Sequence, residues 1–180
     1  MKLLSRSFFR TQAFAVVIGL TDGILSALTL AAAHLARGEP PSPGFSLRVA
    51  MGSAVCGIFV FYTAEYTRLR GRLIHAEKQL NLPRHGIFAT TQLGKQVRAE
   101  AVFAAILSSS ANFLGAFFPL MMGSVVHGSL LLAISPSLIA LALLGAALAR
   151  TVHGSYLLWV ASLILGGIVL SFLGVWLHIA

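Results

Sequence analysis

Asp22 stands in the run Val17-Ile18-Gly19-Leu20-Thr21-Asp22-Gly23-Ile24-Leu25-Ser26, a carboxylate inside an apolar stretch long enough to cross a bilayer. An ionised Asp near the middle of a membrane costs about 2.5 to 3.5 kcal/mol on insertion scales, so such a residue normally faces a protein or water-filled interior. Ser26 and Thr29 follow at i+4 and i+7, which puts an acid and two hydroxyls on one helical face. Glu65 closes the second apolar run and Glu100 opens the third. A partly dehydrated cation could meet Glu65 or Glu100 first and Asp22 deeper in, each offering hard oxygen ligands. A proton and a cation compete for the same oxygens, which gives cation/proton exchange a physical basis without fixing its direction. Interfacial pairing of Glu65 and Glu100 with Arg68 or Arg98 is the plainer alternative for those two acids.

Other candidate groups are weaker. Ser108 and Asn112 fall in mid-span of the third run, where they line a path or bond across a helix interface for roughly 0.6 to 2 kcal/mol each. Met51, Cys56, Met121 and Met122 offer soft sulfur ligands that favour a transition metal, although Met in an apolar helix is more often packing. The six histidines show no close ligand spacing and none is assigned to a metal. With no nucleophile elbow, phosphate loop or zinc-protease motif, an intramembrane enzyme is a minor alternative, and no resident cofactor is expected.

These residues must be positioned by membrane helices. Of 180 residues, 57% are apolar and 10% charged, and the mean hydropathy is +0.88, values far from those of a soluble domain. The reading is an all-α membrane protein of one domain, with five spans at about 13–35, 47–66, 99–120, 130–149 and 156–179. Gly38, Pro40, Pro41 and Pro43 make an exposed turn after the first span. A cleaved secretory signal at residues 1–33 is the lesser alternative there, because Thr-Asp-Gly would interrupt its apolar core. In the fifth span Gly167, Ser171 and Gly174 form a small-residue seam suited to close packing, including against a second subunit.

The charge pattern orients the chain. Three Lys or Arg precede the first span, seven fall in the 67–98 connection and one in the fourth-to-fifth connection, against Arg37 and Arg48 on the other side. By the positive-inside rule the N-terminus and the 67–98 connection are cytoplasmic, in a bacterial inner membrane or an organelle membrane. The net charge of +8 therefore belongs to membrane topology rather than to nucleic-acid binding. Within the connection, Leu69, Leu73, Ala76 and Leu80 at helical spacing among basic residues predict a short amphipathic helix over 67–82, ended by Pro83. A membrane protein that does not transport, and whose basic connection binds anionic lipid or a soluble partner, is the rival from another class.

Thr21-Asp22-Gly23-Ile24-Leu25-Ser26, Ala64-Glu65-Tyr66 followed by a basic run, Leu114-Gly115-Ala116 with Pro119-Leu120, and Leu143-Leu144-Gly145-Ala146 with Arg150 together resemble the vacuolar iron transporter family. The resemblance implies a five-span homodimer with the ion path at the subunit interface, carrying ferrous iron or manganese out of the cytoplasm against protons. Asp22 and Glu65 carry over as metal-site residues on their motifs, and Glu100 on position alone. Phe61 stands where the family commonly has a Met ligand in the path, which removes a sulfur and bears on metal choice. The Glu-rich insert of plant and fungal members is replaced by a short basic connection whose one internal acid is Glu77, so metal storage there is not expected.

Overall fold

The computed structural model describes residues 2–38, 41–80, 87–125, 130–152 and 154–177, with side chains described throughout except at 2–11, 87, 89, 125, 130–132 and 177. All regular structure among them is helical: α1 (Lys2–Ala36), α2 (Pro43–Gln79), α3 (Ile87–Thr90), α4 (Gln92–Val125), α5 (Leu130–Val152) and α6 (Tyr156–Leu177). Five of these, all but α3, are long and apolar enough to cross a membrane, so the architecture is that of a multi-pass membrane protein.

Local chemistry sets the helix ends. After α1, Gly38 adopts φ +75°, a left-handed conformation that glycine takes without strain. Ser42 then caps α2, its Oγ accepting from the Phe45 N–H at 3.2 Å, with Pro43 in the first turn where a missing N–H is harmless. The turn expected to be exposed is only partly so, because Pro41 is buried and lies close to Gly123 of α4.

The 67–98 connection departs from the expected separate amphipathic helix. Instead, α2 runs unbroken from Pro43 to Gln79, because only Gly71 interrupts good helix formers there and a glycine in a helix interior costs about 1 kcal/mol. Leu82 and Pro83 lie outside the described residues. At 37 residues and 1.5 Å per residue, α2 is about 55 Å long against a hydrocarbon core of about 30 Å. Both α2 and α4 therefore project past the membrane at the basic end of the bundle.

The helices pack in a row, with α4 between α1 and α2, while α5 and α6 lie on α1. Small residues allow this. At Gly19 and Gly23 a Cβ would collide with the backbone of Ser108 and Asn112, and at Gly115 it would collide with Leu20. Close backbone approach of this kind replaces the hydrophobic drive that lipid cannot supply between membrane helices. The Gly167, Ser171 and Gly174 seam is used inside the chain, with Gly174 against the Thr29 backbone and Gly167 against Leu28 and Leu141.

Two apolar clusters complete the core. Ile24, Leu28, Ile134 and Leu141 join α1 to α5, and Ala27, Ala31, Ala50, Ala116 and Leu120 join α1, α2 and α4.

Candidate functional site

Gly23 abuts Asn112, so its neighbour Asp22 sits at the height of Asn112, near the middle of the apolar span Gln12–Ala36. The Gly23 side of α1 is turned to α4, and Asp22, a quarter-turn away, is exposed on the outer surface of the chain. Among the described residues no hydrogen bond or ion pair involves its carboxylate. Ser26, one turn on, is also exposed. Thr29 does not continue the stripe outward: half-buried against α6, it donates its hydroxyl to the Leu25 carbonyl at 3.1 Å. The polar face is therefore Asp22 and Ser26, open to whatever lies beside α1.

Ser108 and Asn112, expected as path-lining residues, are buried between helices. The Ser108 hydroxyl donates to the Ala15 carbonyl at 2.9 Å, tying α4 to α1. On the other side of α4, the Ser53 hydroxyl donates to Asn112 Oδ1 and Asn112 Nδ2 donates to the Ser53 carbonyl, both at 3.2 Å. The Ser109 hydroxyl donates to the Ala54 carbonyl. The side-chain groups of Ser53, Ser108, Ser109 and Asn112 are each engaged between helices, so their geometry is that of packing glue.

At the basic end, Glu65 and Arg68 form a two-pronged ion pair, with Arg68 Nε donating to Oε2 at 2.8 Å and Nη2 to Oε1. Such fork geometry fixes both side chains. Glu100, half-buried on α4, adds its charge to the field at Arg68. Glu100 precedes Asn112 by twelve residues on α4, so it and Glu65 lie about 18 Å from the height of Asp22. The chain does not bring the three carboxylates together, and among the described residues no group of three or more His, Cys, Asp or Glu is placed to hold a metal ion. Phe61 is half-buried, while Met51 and Cys56 are exposed on α2.

Glu77 is the acid whose role the sequence did not suggest. It is fully buried, and its Oε1 accepts from the Phe88 N–H at 2.6 Å, fastening α3 to α2. The available signal was its spacing: Leu69, Leu73 and Glu77 recur every fourth residue on the face that α2 turns inward.

Comparison with protein-family models, characterised sequences and solved structures returned no match. Fold and site together define the class, an all-helical membrane chain with a mid-span carboxyl group, Asp22, that has no partner among the described residues.

Proposed function

We propose that the protein is a membrane transporter of divalent transition-metal cations, ferrous iron or manganese, working as a homodimer that exports them from the cytoplasm in exchange for protons. The observation that carries this reading is the position of Asp22, at mid-span, outward-facing and without a partner among the described residues. A bare carboxylate against lipid is costly, so this face of α1 is one that a second copy would cover. Two-fold symmetry then sets each Asp22 near its counterpart. Like charges held close are reconciled by a cation or a proton between them, which is the occupancy an exchanger alternates. Ser26 adds an oxygen one turn away.

In this reading Glu65 and Glu100 attract cations to the cytoplasmic mouth, and the Glu65–Arg68 pair keeps that mouth from holding them too tightly. The motif resemblance to vacuolar iron transporters supports the same cargo, and Phe61 in place of a sulfur ligand favours manganese alongside iron. The test is flux into proteoliposomes loaded with a metal-quenched dye. Ferrous iron and manganese are expected to enter faster when the lumen is acidic than when both sides share one pH, with magnesium and calcium excluded. Equal entry with and without the gradient would remove proton exchange, and no entry of any metal would remove transport.

A further inference from the structure

A second feature lies on the opposite side of α4 from α1 and does not depend on the transport reading. Between α2 and α4 an apolar groove of about 430 Å³ opens on the membrane-facing surface, lined by Ala54, Ile58, Ile106, Ser109, Phe113 and their neighbours. The two helices that line it continue from there toward the basic end. On α2 the face turned toward α4 and α3 steps by four residues through Gly57, Phe61, Glu65, Leu69, Leu73 and Glu77, each buried or half-buried. The residue after each member forms the adjacent row, so the row that begins at Ile58 in the groove continues through Tyr62 and Tyr66 to Arg70. The two tyrosine rings stack with centroids 5.7 Å apart, and tyrosine is a residue enriched where membrane spans meet headgroups. On α4, helical spacing carries the groove wall from Ile106 through Val102 to Arg98 and Lys95.

These cations converge at one height. Ser53 lies opposite Asn112, Ala54 opposite Ser109 and Glu77 opposite Phe88, so the antiparallel register holds along the hairpin. In that register Lys95 faces Leu69 and Arg98 faces Tyr66, within about one turn of Arg70. Arg70, Lys95 and Arg98 are all exposed, and no ion pair among the described residues involves them. Arg68, by contrast, is engaged by Glu65.

From Ile58 to Arg70 is about 18 Å along the helix, a distance that an acyl chain entering a leaflet from its headgroup can cover. We infer that this face is a binding site for one acidic phospholipid, its phosphate held by Arg70, Lys95 and Arg98 and its acyl chain laid past Tyr66 and Tyr62 into the groove. Charge complementarity selects the anionic headgroup, and the apolar lining of the groove selects a chain attached to it over a soluble anion.

Native mass spectrometry of the full-length chain in detergent, with dioleoyl-phosphatidylglycerol or dioleoyl-phosphatidylcholine added, tests this. The acidic lipid is expected to stay bound through gentle activation and the zwitterionic lipid to leave. Arg70→Gln, Lys95→Gln and Arg98→Gln should each lower retention roughly fivefold, whereas Arg72→Gln, which removes the same charge from the same helix off this row, should not. Ser110→Phe, placed to fill the groove from an exposed position, should also lower retention, and Ile106→Trp serves if that variant fails to fold. Inorganic phosphate should not displace the lipid. Equal retention of the two lipids, an Arg72→Gln loss as large as that of Arg70→Gln, an indifferent groove-filling variant, or displacement by phosphate would each overturn the site.

Discussion

Two polar regions share one height in the bundle and differ in what surrounds them. Between α4 and its neighbours, Ser53, Ser108, Ser109 and Asn112 are matched donor to acceptor. On the outer face of α1, the Asp22 carboxyl group is exposed and has no partner among the described residues. In lipid every polar group must be satisfied by protein, cavity water or a bound ion. The matched cluster is therefore complete as structure, and the carboxyl group of Asp22 has no answering group among the described residues. Polar residues in a membrane helix are informative through their partners more than through their presence.

The comparison can be broken first on its structural side. Gly23→Val drives a branched side chain into the Asn112 backbone, and since overpacking costs typically 1 to 3 kcal/mol or more, α1 should separate from α4. The expected result is loss of a monodisperse peak on size exclusion in detergent, and a variant with unchanged melting would contradict the packing. Glu77→Ala leaves the part-buried Phe88 N–H without its acceptor, a loss of about 1 kcal/mol or more. Hydrogen exchange should then quicken at residues 87–91 while the mid-membrane segments stay protected. Asn112→Leu removes the paired bonds to Ser53 and should lower stability by about 0.6 to 2 kcal/mol, read as a modest fall in melting temperature with flux retained. If flux vanished while the fold survived, Asn112 would belong to the path after all.

The outer face can be sharpened separately. With Cys56→Ser to remove the native thiol, Ser26→Cys places a sulfur one turn from Asp22 on the face assigned to the second copy. Mild oxidation in native membranes should give a cross-linked dimer, and a chain that stays monomeric under conditions that cross-link a deliberately fused pair would place that face against lipid. Glu65→Gln should have the smallest effect, a few-fold fall in metal flux at low metal concentration that disappears at saturation, because a carboxylate already paired with Arg68 steers ions more than it holds them.

Much of the fold was legible in the chain because apolar runs of spanning length leave few alternatives. Where a helix stops was legible only when a Gly or Pro marked it, as at Gly38 and Pro43. The run from Tyr66 to Gln79 holds no proline, and its one glycine, Gly71, does not end the helix, so the charge-rich stretch read as a separate element is the end of α2. Periodicity also names a face without naming its neighbour. Gly167, Ser171 and Gly174 were recognisable as a packing seam, yet only the assembled helices show α1 on it. Asp22 was identifiable for the same reason that its partner was not: a charge in an apolar run is visible in one dimension, and what answers it is a matter of three. Glu65 lay beside Arg68 at i+3, a spacing at which pairing is expected on any helix.

The most direct test of the central claim is metal flux through Asp22→Asn in proteoliposomes, beside the parent protein at equal reconstitution and with an acidic lumen. The amide keeps the size and hydrogen-bonding reach of the side chain and removes the charge. Flux of ferrous iron and manganese is expected to fall to the level of empty liposomes while the variant elutes and melts like the parent. Flux equal to the parent's would show that the mid-span carboxylate receives no cation.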